Sequence, residues 1–163
     1  MTASTRLSPS RTEALVRASI LRILDENRTM TVATARPDGW PQATIVGYIR
    51  EDWTLYCAVS RNSQKLANIR RDPRTSIAIG GRVGRGARLR GLSMAALVRE
   101  ATDRDEIIHV NELVWLRFPD FNIFAPHEEP SVVLRVTPQL ISVTDSLWRT
   151  RSPQRLDLTG QPA

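Results

Sequence analysis

The chain has 163 residues, of which 41% are hydrophobic and 25% charged; this suits one folded domain and excludes a disordered or fibrous polymer. A single cysteine, Cys57, excludes an intrachain disulfide framework. The formal net charge is +6, and Lys65 is the only lysine among 23 basic residues, so arginine usage weakens global basicity as a clue to partners. In chain order, the first element is a helix, with a capping box at Ser10 and Glu13 and an apolar face of Val16, Ile20, Ile23 and Leu24, stopping near Asn27. The period then changes. Met30 to Ala35 is a strand, Arg36-Pro37-Asp38-Gly39 a turn, and Gln42 to Arg50 and Thr54 to Val59 are two further strands. Ser63 opens a short helix through Leu66 and Ile69 that Asp72-Pro73 ends. Thr75 to Ile79 is a strand, and the glycine- and arginine-rich stretch from Gly80 to Gly91 reads as a mobile loop entering the strand Leu92 to Ala101. Thr102-Asp103 starts a helix to about Arg117 with Ile107, Val110, Leu113 and Val114 inward, closed by Phe118-Pro119-Asp120. Ser131 to Val143 is a strand pair or one bent strand interrupted at Pro138, and the tail from Arg149 reads as frayed.

About six strands with short connections and few βαβ crossovers argue against a doubly wound parallel sheet. A small antiparallel barrel, with a leading helix and two inserted helices, removes exposed edges and is the expected architecture. No stretch reaches the roughly 18 to 20 apolar residues of a membrane span, and the N-terminal residues lack the apolar core of a secretory signal, so the expected setting is soluble and cytoplasmic.

The charge is unevenly placed. Residues 61 to 90 carry nine basic side chains and one acid, a local +8 that leaves the rest of the chain at −2. Within that block, Ser63-Gln64-Lys65 sits where a strand meets a helix start, and free helix N-terminal amides beside an ammonium suit a phosphate. An ordinary cap with a solvated lysine is the competing reading. Arg82, Arg85, Arg88 and Arg90 suit anion clamping or plain solubility. Nucleic acid is the weaker reading for them, because no aromatic residues for base stacking accompany them. The chain has no Walker loop, no dinucleotide-binding glycine motif after a strand and no His-Glu-x-x-His. His109 and His127 lack ligand spacing, and Cys57 reads as a small buried hydrophobe. Trp40, Trp53, Trp115 and Trp148 suit core or dimer packing more than a cofactor box. No catalytic residue and no metal site is assigned, so any hard chemistry must come from a bound cofactor.

Several of these stretches together carry a resemblance. They are Met30-Thr31-Val32-Ala33-Thr34, Asp38-Gly39-Trp40-Pro41-Gln42, Leu55-Tyr56-Cys57 and, most specific, Ser63-Gln64-Lys65-Leu66-Ala67-Asn68-Ile69-Arg70-Arg71-Asp72-Pro73-Arg74. With Ala96-Leu97-Val98, Phe118-Pro119-Asp120 and Val132-Val133-Leu134-Arg135-Val136-Thr137-Pro138, the chain resembles the pyridoxamine 5′-phosphate oxidase-like, flavin-binding split-barrel family over about residues 10 to 146.

The resemblance implies a mainly β fold, a six-stranded antiparallel split β-barrel of the flavin mononucleotide (FMN)-binding type. It also implies an N-terminal arm over 1–9, the barrel domain over 10–146 and a flexible C-terminal tail over 147–163. It further implies a homodimer with FMN in each interface groove, or a deazaflavin coenzyme or haem as in some relatives. By position, Thr44, Ile45 and Val46 would approach the cofactor, Ala58 and Val59 would line its ring, and Ser63, Gln64 and Lys65 would hold its phosphate. Arg88 would add a phosphate or partner-subunit contact. The implied activity is hydride transfer to or from a small substrate. The chain departs from the pyridoxamine phosphate oxidisers in having Thr44 and Ile49 where they place an arginine and a lysine, and in its short tail. Both departures argue against pyridoxamine phosphate as the substrate. The alternatives are a deazaflavin-dependent reductase and a non-catalytic stress or regulatory module on the same fold.

Overall fold

The computed structural model describes residues 11–83, 88–118, 130–145 and 154–159, with the backbone only at 82, 83, 88, 89 and 145. Three helices, α1 (Arg11–Glu26), α2 (Gln64–Arg71) and α3 (Arg104–Arg117), accompany eight strands. The strands are β1 (Thr29–Ala35), β2 (Pro41–Gly47), β3 (Ile49–Glu51), β4 (Thr54–Ser60), β5 (Arg74–Val83), β6 (Arg88–Glu100), β7 (Ser131–Asp145) and β8 (Gln154–Asp157). All pairings are antiparallel, in the order β2-β1-β5-β6-β7-β4-β3, with β8 added on β7. The two ends of that order, β2 and β3, are neighbours in the chain and only Tyr48 separates them. The single strand expected over Gln42 to Arg50 therefore pairs with β1 in its first half and with β4 in its second. This split curls the sheet round on itself, and counting β2 and β3 as one broken strand gives six barrel strands plus β8.

Tyr48 marks the break for a physical reason. Its ring is buried, its O–H donates to the Leu24 carbonyl at 2.8 Å and its N–H donates to the Arg28 carbonyl at 3.1 Å. Burial pushes the phenol up to about 12, so it stays a neutral donor. The α1 end is closed further by Asn27, whose amide donates to the Ile23 carbonyl at 2.7 Å. Arg117 at the end of α3 donates to the carbonyls of Asp25 and Asn27 at 3.0 and 3.3 Å. A cation on these orphan carbonyls also opposes the negative end of the α1 dipole.

The core follows the strand period. Met30 and Val32 on β1, Leu55, Cys57 and Val59 on β4, Ile77 and Ile79 on β5, and Leu92, Met94, Ala96 and Val98 on β6 point inward. The expected α1 face, Val16, Ile20, Ile23 and Leu24, packs onto that interior. Outside the barrel, α3 lays Val110 and Val114 on Ile49, Tyr56 and Val133, with Ile107 and Leu113 partly buried beside them. Asp103 caps α3, accepting from the N–H of Asp105 at 2.8 Å and of Glu106 at 3.0 Å.

Three expectations need correction. The stretch from Gly80 to Gly91 is not a loop throughout, since β5 and β6 remain paired out to Val83 and Arg88. Gly80 and Gly91 face each other at a crossing too tight for a Cβ, and a glycine pair lets the ladder continue where a loop was read. The tail is not frayed over 154–159. β8 pairs with Leu140–Val143, and Leu156 and, just past the strand, Leu158 are buried, alternating with Arg155 and Asp157. Pro138 does not split β7; the ladder to β6 absorbs one extra residue there as a bulge between Ala95 and Ala96. The Ser10 cap, His127, Trp148 and the Pro119-Asp120 helix stop lie outside the described residues.

Candidate functional site

The chemistry-bearing segment begins at the end of β4. Ser60 gives its carbonyl to the Ser63 N–H at 3.0 Å, and this turn delivers Ser63 as the N-cap of α2. The Ser63 side chain accepts from the Leu66 N–H at 3.4 Å. Ser63 therefore serves as the cap read from the sequence, and Leu66 and Ile69 seat the helix in the core. The first-turn N–H groups of Gln64 and Lys65 have no acceptor inside the helix, as at any helix start.

The buried residue of this helix that the sequence did not announce is Asn68, which is 1% exposed. Its amide donates to the Thr34 hydroxyl at 2.9 Å and to the Gln42 side-chain oxygen at 3.1 Å, and its oxygen accepts from Gln64 at 2.9 Å. One side chain thus joins the start of α2 to β1 and β2. Among the signals in the sequence, its place between Leu66 and Ile69 on a short helix was the one that could have revealed it. Removing it strands buried partners, so Asn68→Ala is expected to cost about 2 kcal/mol, read as a lower urea midpoint at unchanged slope.

Among the described residues, three cations of the basic block pair with carboxylates. Arg70 pairs with Glu100 at 2.6 Å, Arg74 with Asp72 at 2.7 Å, and Arg90 with Glu26. Arg71 donates to the Ala35 carbonyl at 3.1 Å. Among the described residues, no carboxylate pairs with Arg61 or Lys65, which flank Ser63. Arg61 and Lys65 therefore leave positive charge beside the start of α2, which residue counts alone do not show.

The remaining expected residues divide by face. Thr44 and Val46 turn toward the barrel interior, and the Thr44 hydroxyl is buried without a partner among the described residues. Ile45 points out and is 74% exposed. On β4, Val59 is buried in the core, whereas Ala58 faces outward and half-buried. Arg88 pairs with Val83 in the ladder, and its side chain lies outside the described residues.

The outer face beside Ile45 is unusual for an exposed sheet. Registers run Ile45–Thr31–Ala78–Ser93 in one row and Ala43–Ala33–Ser76–Ala95 in the next, across β2, β1, β5 and β6. Both rows are small or apolar and carry no charge. Solvated sheet faces ordinarily alternate toward polar and charged side chains, so an uncharged face suits contact with another surface. Of the tryptophans, Trp40 and Trp115 are exposed, and Trp53 lies under the Arg17 guanidinium, 5.6 Å from its ring centre.

Similarity to known proteins agrees with this architecture. No curated protein sequence matches the chain. Among solved structures, a candidate pyridoxamine 5′-phosphate oxidase from Listeria innocua superposes with a TM-score of 0.63 at 21% identity, covering 78% of this chain and 97% of that one. An FAD-binding protein from Mesorhizobium loti gives 0.62 at 19%, covering 78% and 91%. The haem storage protein HutZ from Vibrio cholerae gives 0.63 at 16%, covering 74% and 88%. At these identities the likeness shows a shared fold. The family model for pyridoxamine 5′-phosphate oxidase matches residues 16–145, and the chain belongs to the pyridoxamine 5′-phosphate oxidase-like split-barrel family.

Proposed function

We propose that the protein is a homodimeric, cytoplasmic flavoprotein that transfers hydride to or from a small substrate through bound FMN. The observation that supports this best is the start of α2, where Ser63, the first-turn amides, Lys65 and Arg61 lie close in the chain and no carboxylate among the described residues forms an ion pair with either cation. These groups fit a phosphate: the amides donate, the helix dipole favours an anion, and Lys65 supplies a point charge. When bound, FMN supplies reversible hydride transfer, the chemistry that no side-chain dyad of this chain offers. The chain's own part is binding and positioning. Asn68 and Gln64 hold the start of α2 against β2, and Ile45 presents apolar surface outward for a planar ring. The uncharged rows beside Ile45 give two copies a face to share, consistent with the isologous contacts usual in dimers.

The test is titration of the purified protein with FMN, a deazaflavin and haem, followed by absorbance and fluorescence. Saturable FMN binding is expected, weakened about tenfold or more by Lys65→Glu through loss of a charge-assisted contact. A protein that binds neither flavin at roughly tens of micromolar, a weak affinity of about −6 kcal/mol, overturns the proposal. So does one that binds haem alone.

A further inference from the structure

We propose that the groove between α1 and β8 is a separate binding site for a small amphipathic monoanion, an alkyl or aryl carboxylate. The groove encloses about 510 Å³, within the ordinary range for small-ligand sites. It lies between one face of α1 and Gln154 of β8. Its walls are mainly apolar: Leu15, 62% exposed although it sits in the groove, together with Val16 and Ala18. Two polar groups lie one helical turn apart at the other end, Ser19 and Arg22. The Ser19 hydroxyl is buried and without a partner among the described residues, although such a group ordinarily finds one. Among the described residues, no carboxylate lines the groove. The nearest acid on that face, Glu26, is held in close contact by Arg90, and Arg22 reaches it only at 3.9 Å. The Arg22 charge is therefore largely available to an anion in the groove. An apolar body over Leu15 and Ala18 with its carboxylate at Arg22 matches the lining of the groove. This site is on the α1 side of the barrel and does not rest on the flavin reading.

The test is calorimetric titration of the full chain with sodium decanoate, 1-decanol and decyltrimethylammonium, each below its micelle concentration. Decanoate is expected to bind once per chain, and the cationic analogue about tenfold more weakly. Arg22→Gln should weaken decanoate about fivefold, as befits a half-exposed charge, and leave decanol unchanged. Ala18→Trp should block both ligands. Leu15→Glu, at an exposed position that folding tolerates, should weaken decanoate and strengthen the cationic analogue even where Ala18→Trp fails to fold. Absence of decanoate binding overturns the proposal, as does binding that Leu15→Glu and Arg22→Gln both leave unchanged.

Discussion

Gly80→Ala is expected to destabilise the protein by about 3–5 kcal/mol, combining positive-φ strain with overpacking. Gly80 has φ +115°, which side-chain-bearing residues rarely adopt, and a Cβ there would lie 2.5 Å from the Arg90 carbonyl oxygen and 2.6 Å from the Gly91 Cα. Both obstacles are backbone, so nothing flexible can yield. The crossing can relax only by parting β5 from β6, which would also loosen the ladder above Ile79 and Leu92. Gly81→Ala is the control, since nothing lies within 4 Å of a Cβ there. Its effect should stay within about 0.5 kcal/mol, as for ordinary surface positions. Thermal melts of the two variants should differ by about 10 °C, given roughly 2–4 °C per kcal/mol at this chain length. Equal melting points would mean that the strand crossing is not as tight as the structure has it.

Glu106→Gln is expected to cost about 2–3 kcal/mol near neutral pH, because it leaves a mostly buried guanidinium without its counter-charge. Glu106 and Arg135 are 13% and 19% exposed, with 2.9 Å between them. The Tyr56 hydroxyl donates to the same carboxylate oxygen at 3.3 Å, and Arg99 reaches the group at 3.3 Å. Burial alone would raise the Glu106 carboxyl. The Arg135 hydrogen bond and the charges of Arg99 and Arg135 outweigh it and hold the group below its ordinary 4.5. The folded value is thus depressed, so this contribution is present above about pH 4.5 and is lost as the pH falls through the lower folded value. Denaturant melts should therefore show the gap between wild type and Glu106→Gln closing in acid. A gap that is constant from pH 7 to pH 3 would contradict the assignment. Arg99, more than half exposed, should matter little, and Arg99→Gln is expected to cost under about 0.5 kcal/mol.

Both residues act where distant segments meet, which is also where reading the chain alone fell short. The face of α1, the Ser63 and Asp103 caps and the stop at Asp72-Pro73 are written in residues three or four apart, because a helix satisfies its own backbone and reports its buried side within one turn. The same locality made Ser63, Gln64 and Lys65 legible as a helix start, and the motif around them carried the family. Local spacing could not tell which carboxylates would reach the basic block. Glu26, Glu100 and Asp72 pair with Arg90, Arg70 and Arg74, whereas no carboxylate among the described residues forms an ion pair with Arg61 or Lys65.

What the amino-acid sequence by itself determined was the antiparallel, mainly β fold with its three helices, and the helix start that bears the cationic groups. The tertiary structure alone decided that Tyr48 breaks a strand into β2 and β3, that Gly80 and Gly91 carry the ladder past Ile79, and that Leu156 and Leu158 draw the tail into the sheet. It also decided that Asn68 is the link among α2, β1 and β2. The physical reason is one of range. Propensity, capping and turn chemistry act over a few residues, whereas strand partners, register and buried polar contacts join residues that only the fold brings together.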